Sequence, residues 1–387
     1  MSSTPVFLES KHNELRAAWA ATTVGSLLKS HWKSGGGKLE VVTVDATMSA
    51  EDAFDVLVQN NINAAPVWDP AAHEYVGMVS MLDVVEFVLM LVKANKAVLQ
   101  AMDAELDQST SADRIDMSRP ASTAAPAPLA ARSQSAHATS AKEADGSGLK
   151  IAEIASRIRQ IKPIPVSYIS DLAKRDPLMS LPRDATLDKA IDIFSKGIHR
   201  IAVTESDSNS TLVGILTQSD IVRHLSENAV AEPFASLLKL RLVDLKLSDP
   251  KGIVLVKAFQ PVLDALQAMH AHRVSSVAVV DATDRLLGNI SASDVKHIMR
   301  HLRYGVLFET CSQFIGGVKT RQMLDNAGKD VVPVIQVSPT APLAQVLRLL
   351  VVTKVHRVWC VDQNAHSASF QAPSSVVSLT DILRILM

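Results

Sequence analysis

The sequence predicts a mixed α/β (α+β) fold built from four tandem β-α-β-β-α units. Three observations support this prediction. A β-rich segment, an amphipathic helical segment and a pair of β-rich segments follow one another four times along the 387 residues. Apolar residues in the helical segments recur at spacings of three and four, the period of one buried helix face. Repetition at a period of about 50 to 60 residues indicates paired repeats rather than one large core.

Each unit opens with a β-rich segment that leads into a helix. The opening segments read "LEVVTV" from residue 39, "PLMSL" from 177, "GIVLV" from 252 and "VPVIQV" from 332. The first helices read "AEDAFDVLVQNN", "TLDKAIDIFSKG", "PVLDALQAMHAH" and "PLAQVLRLLVVT". Two further strands and a final helix end in "VGMVSMLDVVEF", "VGILTQSDIVRHL", "LGNISASDVKHIM" and "SVVSLTDILRIL". Short segments that we call pre-segments recur as "TVGSLL", "YISDLA" and "RLVDLK".

The predicted units cover residues 22–101, 150–230, 231–305 and 306–387. Three strands with two helices leave one sheet face bare, so we expect the units to pair into two modules on either side of Leu240. Residues 102–149, which include "STAAPAPLAARSQSAHATSAKEADGSG", have almost no large apolar side chains. They are predicted to form a disordered linker, because they cannot bury enough surface to offset chain entropy. An Ala-rich helical spacer is the alternative, which the prolines disfavour.

Composition narrows the class of protein. Apolar residues make up 47% of the chain and aromatics only 4%, so the cores are predicted to be aliphatic. Lys+Arg 39 against Asp+Glu 40 argues against bulk attraction to nucleic acid or membrane surfaces. Two cysteines, Cys311 and Cys360, are too few for a disulfide framework or a zinc cluster. The start of the chain lacks the apolar core of a signal peptide, and the longest apolar run, from Val84, is too short to span a bilayer. We expect a soluble protein of the cytoplasm, the nucleus or both.

The strongest local motif is Gly-x-x-[Ser/Thr]-x-x-Asp at the end of each unit. A hydroxyl followed three residues later by an acid is typical of a capping box at a helix N-terminus. The same geometry suits a nucleotide, because the helix end attracts phosphate, the acid can accept from a ribose diol and the small residue lets a ligand approach the backbone. Both interpretations stay open at this stage. The copies are Gly77/Ser80/Asp83, Gly214/Thr217/Asp220, Gly288/Ser291/Asp294 and, with serine for glycine, Ser375/Ser378/Asp381.

His-Arg pairs recur three times ahead of a buried strand. As helix C-terminal caps they would need only a cation, which Lys could supply. As ligand groups, Arg offers a bidentate fork to phosphate and His a donor whose charge is sensitive near neutrality. Recurrence at one expected structural position favours the second interpretation. The pairs are His199-Arg200, His272-Arg273 and His356-Arg357.

Other motifs are weak. "KSGGGKLE" from Lys33 lacks the spacing of a phosphate-binding loop, because Leu39 stands where a hydroxyl is required. The 12 histidines show no metal-ligand spacing. With no nucleophile elbow, kinase signature or dinucleotide fingerprint, we expect a protein that is not an enzyme and that has no metal or cofactor.

Units that end in "GILTQSD" and "GNISASD" resemble CBS domains, which pair into Bateman modules. Their order resembles the gamma regulatory subunit of AMP-activated protein kinase and related four-CBS proteins of plants. The resemblance covers residues 22 to about 100 and 150 to 387, with "AFDVLVQNNINAAPVWDPAAHEYVGMVSMLDVVEF" and "KVHRVWCVD" as its nearest segments.

The resemblance implies nucleotides in clefts between units. It assigns ribose contacts to Asp83, Asp220, Asp294 and Asp381. It assigns hydroxyl contacts to Ser80, Thr217, Ser291 and Ser378. Phosphate contacts would come from His199, Arg200, His272, Arg273, His356 and Arg357. Two departures are visible: Asn63 stands where the gamma subunits carry Arg, and the fourth unit lacks its glycine.

The resulting hypothesis is a non-catalytic sensor of AMP, ADP and ATP that regulates a protein kinase through its catalytic and scaffold subunits. Nucleotide sites are expected in the second pair and in unit two. The alternative is a CBS scaffold that has lost nucleotide sensing and only organises partner subunits, which Asn63 and the missing glycine favour.

Overall fold

The computed structural model describes residues 6–35, 41–94, 162–206, 209–249, 252–299, 304–325, 334–361 and 372–387, with a few positions between 153 and 160. The linker predicted for residues 102–149 lies outside these residues. The first half of the described chain contains α1 (Val6–Ala20), α2 (Val24–Gly35), β1 (Val44–Asp45), α3 (Ala50–Gln59), β2 (Ala64–Asp69), β3 (Glu74–Ser80), α4 (residues 81–94), α5 (Val166–Ile169), β4 (Ser180–Pro182), α6 (Leu187–Ser195), β5 (Arg200–Ser206), β6 (Asn209–Thr217), α7 (Gln218–Glu227) and α8 (Phe234–Leu238).

The second half repeats the pattern. It contains β7 (Leu255–Lys257), α9 (Val262–Ala271), β8 (Ser276–Val280), β9 (Leu286–Ser291), a 3-10 turn (Ala292–Val295), α10 (Lys296–Met299), a second 3-10 turn (Tyr304–Phe308), α11 (Cys311–Asp325), β10 (Gln336–Val337), α12 (Leu343–Thr353), β11 (Arg357–Val361), β12 (Pro373–Ser378) and α13 (Leu379–Ile385).

Four three-stranded sheets confirm the predicted mixed fold of four repeats. In each sheet the first strand runs parallel to the second, and the second runs antiparallel to the third. The parallel pair requires a crossover, which the first helix of each unit supplies. That helix buries its predicted apolar face: in α3, Ser49 caps the N-terminus and Phe54 and Leu57 are buried beneath it.

The pre-segments are exchanged between the two units of each module. The backbone of Val24, ahead of unit one, donates to Ala185 of unit two, and Val166, ahead of unit two, donates to Met48 of unit one. The second module repeats the exchange. Leu242 donates to Ala341 of unit four, while Cys311 donates to Gln260 of unit three. Each unit is therefore completed by a segment that the sequence places in front of its neighbour.

The sheets pair within a module and the helices pack between modules. Sheets of units three and four share a core that contains Val280, Leu286 and Trp359. A larger core joins the helices of unit one to those of unit three. Another joins unit two to unit four and also takes in Trp19 of α1, whose ring lies 4.8 Å from that of Phe234. The two modules consequently stack on each other within one chain.

Two motif glycines make room for neighbouring segments of the same module. A Cβ at Gly77 would overlap the Ser170 hydroxyl, which donates to the Met78 carbonyl across the module. A Cβ at Gly288 would lie 3.0 Å from Cδ1 of Ile315 in α11. Glycine is therefore needed at both positions for packing within the protein, and the expectation that it lets a ligand approach the backbone stays a prediction.

Replacing Gly77 by alanine should destabilise the protein by about 1–3 kcal/mol, because the added methyl group overlaps a buried hydroxyl. The free energy of unfolding measured in denaturant checks this. Ser170→Ala in the same chain should recover part of the loss, since it removes the overlapping oxygen. Gly316→Ala is the matched control: no atom lies within 4 Å of its Cβ position, and alanine favours the helix. A G77A variant as stable as G316A would contradict the account.

Candidate functional site

The strand registers align the four motifs. The first residue of the second strand pairs with the hydroxyl residue at the end of the third: Ala64 with Ser80, Arg200 with Thr217, Ser276 with Ser291 and Arg357 with Ser378. Each hydroxyl therefore lies beside the start of a strand and at the start of the following helical turn.

All four motifs form the predicted cap. The hydroxyl oxygens of Ser80, Thr217, Ser291 and Ser378 donate to Oδ2 of the acid three residues later at 2.6–2.9 Å. In each motif, Oδ2 of the acid also accepts from the backbone N–H of the hydroxyl residue at 2.7–3.0 Å. Because these hydroxyls donate within the protein, their first role is structural, and a ligand would share the cap with them.

The four acids differ in exposure. Asp83 is 1% exposed, and its second oxygen, Oδ1, accepts from the backbone N–H of Ala173 in the exchanged pre-segment at 2.8 Å. Asp220, Asp294 and Asp381 are partly exposed. The pre-segment therefore covers Oδ1 of Asp83, whereas the other three acids reach solvent.

Burial has a clear electrostatic effect on Asp83. Desolvation raises its pKa to about 7, in spite of the hydrogen bonds from Ala173 and Ser80. A carboxyl with this pKa is partly protonated at neutral pH.

The three His-Arg pairs do not share one structural position, so that prediction is wrong. Arg200 and Arg357 open β5 and β11, but His272 is the C-cap of α9, and Arg273 follows it with a φ of 52°. The equivalents of His199 and Arg200 in unit three are Ser275 and Ser276. His272 therefore fits the helix-cap interpretation.

The registers reveal an alternation between odd and even units. Units two and four carry His-Arg at the strand start, whereas units one and three carry the short side chains of Asn63-Ala64 and Ser275-Ser276. In the second module the strand starts of the two units are in contact, since Arg357 Nη2 of unit four donates to Ser275 Oγ of unit three at 2.8 Å.

Basic side chains from both modules converge where the modules stack. Arg273 of unit three donates to the Lys174 carbonyl of the first module at 3.3 Å. The neighbouring Arg175 has its pKa lowered by burial and also by the charge of Arg273. Its Nη1 is buried and has no hydrogen-bond partner among the described residues. We call this group the central basic cluster; its members are Arg175, His199, Arg200, Arg273, His356 and Arg357.

Charge crowding in the cluster is largest around unit four. Burial, together with the charge of Arg175, lowers the pKa of Arg357 to about 10, although the charges of Asp294 and Asp381 oppose the shift. His356 reaches solvent, yet desolvation and the charges of the neighbouring cations lower its pKa to about 4. His356 is therefore neutral at pH 7 and offers an uncharged imidazole, which differs from the expected switch near neutrality.

One carboxylate enters the cluster from the first module. Asp176, 4% exposed, lies 2.6 Å through Oδ1 from His199 Nδ1 and accepts from Arg200 Nη1 through Oδ2 at 3.3 Å. Burial alone would raise the pKa of Asp176, but the hydrogen bond from His199 and the charges of His199 and Arg200 lower it below its ordinary value. The His-Arg pair of unit two is thus held by an internal acid.

Sequence reasoning missed Arg175, Asp176 and Ser275. Arg175 and Asp176 follow the "YISDLA" pre-segment, and Ser275 precedes a strand without a basic neighbour. Alignment of the four strand starts would have found Ser275, because it stands one residue before β8 as His199 stands before β5. Arg175 and Asp176 carry no repeated pattern.

A cavity of about 160 Å³ lies beside the cluster between α7 and α12. Arg223, Lys354 and His356 contribute basic side chains to a wall that is otherwise mostly aliphatic. Within the described part of the chain, no group of three His, Cys, Asp or Glu residues could hold a metal ion. No helix in that part is long and apolar enough to cross a membrane.

The family profile described as "CBS domain" matches residues 38–90, 169–227, 250–301 and 329–387. The chain belongs to the CBS-domain family. These four CBS domains correspond to the four units, although the exact boundaries predicted from the sequence stay predictions.

Two relatives that match this chain are fungal proteins. The chain is 35% identical to Protein SDS23 of Yarrowia lipolytica over 257 residues, which cover 60% of this chain and 51% of that protein. It is 35% identical to Protein SDS23 of Kluyveromyces lactis over 242 residues, 58% of this chain and 46% of that protein. The chain spans about half the length of the relatives it matches, and their names state no enzyme activity.

A solved structure shares the overall arrangement of CBS domains. A protein of Methanocaldococcus jannaschii described as an archaeal homologue of g-AMPK superposes with a TM-score of 0.56 and 13% identity. The match covers 91% of this chain and 98% of that one. At this identity the likeness establishes the fold, which agrees with the expected four-CBS arrangement.

The buried Asp83 leads to a prediction on pH. Its folded pKa of about 7 lies above the ordinary 3.8, so the proton stabilises the fold. That contribution is full below about pH 4 and is lost as the pH rises through about 7, by about 1.4 kcal/mol per pH unit. Asp83→Asn, which mimics the protonated acid, should remove this dependence. Calorimetric melting of both proteins in steps from pH 5 to pH 8 checks this; parallel pH profiles would contradict it.

Proposed function

We propose that this CBS-domain protein is a regulatory subunit without catalytic activity, which binds adenine nucleotides where its two modules meet and transmits the result to a partner. The observation that carries the proposal is the environment of Arg357. Its guanidinium interacts electrostatically with two partly exposed ribose candidates, Asp294 and Asp381. It also donates a hydrogen bond to the short side chain of Ser275.

The chemistry of these groups suits a nucleotide. Arg357 can form two parallel hydrogen bonds to a phosphate, and His356 adds an uncharged donor beside it. Asp294 makes its cap contacts through Oδ2, and its other carboxylate oxygen can accept from a ribose diol. Arg175 and Arg273 widen the positive field for additional phosphates.

Regulation would follow from the position of the cluster between the modules. A ligand whose phosphates contact Arg357 and Arg273 of one module and Arg175 of the other favours the stacked arrangement that brings them together. AMP and ATP differ in charge and length, so they would favour different arrangements. We propose a kinase of the energy-sensing type as the partner, acting through its catalytic and scaffold subunits. The likeness to the archaeal homologue of g-AMPK supports this choice.

Nucleotide binding can be tested by isothermal titration of the full chain with AMP, ADP and ATP. Arg357→Gln should weaken binding about tenfold or more, because a charge-assisted hydrogen bond to phosphate is lost. Asp294→Ala and Arg273→Ala should also weaken binding while changing the melting temperature of the free protein by only a few degrees. Arg241→Gln is the control, since Arg241 is exposed and paired with Asp244 outside the cluster. Absence of binding at about millimolar nucleotide would contradict the proposal.

A scaffold that no longer senses nucleotide is the second candidate. The first module favours it, because Asp83 is covered by Ala173 and the His199-Arg200 pair is held by Asp176. Capture of a kinase catalytic and scaffold pair on the immobilised chain, with and without AMP or ATP, separates the two functions. Capture that nucleotide changes at least severalfold supports the sensor. Capture of equal strength under all conditions, together with no detectable nucleotide binding in the isothermal titration, supports the scaffold.

A further inference from the structure

The phosphate-contact candidates of the two modules are not equivalent. Arg357 of unit four hydrogen bonds to a neutral hydroxyl, whereas Arg200 of unit two is paired with the carboxylate of Asp176. Asp176 uses both oxygens, one toward His199 and one toward Arg200. Its Oδ1 also accepts from the backbone N–H of His199 at 3.2 Å. A carboxylate that accepts from an imidazole, a guanidinium and a backbone N–H makes the set of contacts that a phosphate would make.

Among the described residues, the strand-start pairs of units two and four differ in their partners. Asp176 forms ion-pair contacts with His199 and Arg200 of unit two, whereas Arg357 of unit four donates to Ser275. The pairing is also well shielded, because Asp176 is 4% exposed at its side chain, and the side chains of Arg200 and His199 are 17% and 26% exposed. Shielded charge-assisted hydrogen bonds are stronger than those in open solvent.

We propose that Asp176 is a specificity-determining residue that acts as an internal substitute for phosphate in unit two. Its carboxylate is paired with His199 and Arg200, so highly charged phosphate chains are excluded from this pair and directed to Arg357 in the second module. This inference rests on the proposed binding function and adds which His-Arg pair takes the phosphates. It also changes the expectation of a working phosphate site in unit two.

The test compares the wild-type chain with Asp176→Asn by titration with ATP, AMP and inorganic tripolyphosphate. Removing the carboxylate leaves His199 and Arg200 without their anion, so tripolyphosphate should bind about tenfold more tightly and at one additional site. The gain for ATP should exceed the gain for AMP, because ATP carries more phosphate charge. Asp192→Asn is the matched control, because Asp192 pairs with Lys196 on the exposed side of α6. Adding Arg200→Gln to D176N should abolish the gain.

A second measurement keeps the proposal testable if D176N folds poorly. In the wild-type chain, the ring resonances of His199 should stay unchanged at tripolyphosphate concentrations that saturate the Arg357 site, since Asp176 keeps its contact. A shift of His199 in step with that saturation would overturn the proposal.

The outcomes separate this proposal from the general function. If wild type binds nucleotide and D176N binds tripolyphosphate no better, only the role of Asp176 is overturned. If D176N binds tripolyphosphate more tightly than wild type but neither chain binds nucleotide, the role of Asp176 stands and the nucleotide function fails. If neither chain binds any of the three ligands, both fail.

Discussion

The exchange of pre-segments is the constraint on which the rest of the structure depends. A three-stranded unit with two helices leaves one sheet face bare, so the units must pair. The segment ahead of each neighbour joins the two units through backbone hydrogen bonds at the turn before the first helix, such as Val24 to Ala185 and Val166 to Met48. Because the exchange is reciprocal, neither unit of a module is complete without the other. Glycines at 77 and 288 are required by this close approach.

The same exchange shapes the candidate site. The pre-segment that completes unit one places Ala173 over Asp83, and two residues later it delivers Arg175 and Asp176 to the place where the modules stack. Residues 173–176 thus cover the ribose candidate Asp83 and place a carboxylate against the phosphate candidate Arg200. The second module keeps Asp294 partly exposed and gives Arg357 a neutral partner. Two modules of one architecture therefore present different electrostatics.

Sequence patterns correctly predicted features that depend only on residues close together in the chain. The capping boxes from Thr217 to Asp220 and from Ser378 to Asp381 form as expected, because hydroxyl and acid lie within one helical turn of each other. The prediction that His272 and Arg273 occupy the same position as the other two His-Arg pairs was wrong. The letters His-Arg precede an apolar run there as well, but the pair follows α9 directly and stands three residues ahead of Ser275-Ser276, the register equivalents of His199-Arg200, so it occupies the helix end rather than the strand start. A dipeptide alone does not show where a helix stops.

The sequence by itself determined the repeat, the secondary structure of each unit, the caps and the family resemblance, because these depend on residues close together in the chain. Only the tertiary structure decided which unit each pre-segment completes and which acids reach solvent. It also brought Arg175 and Asp176 to the His-Arg pairs. These features depend on contacts such as Ala173 with Asp83, which are 90 residues apart. No periodicity in the sequence encodes such contacts, since their energy comes from burial that exists only once the units have paired and the modules have stacked.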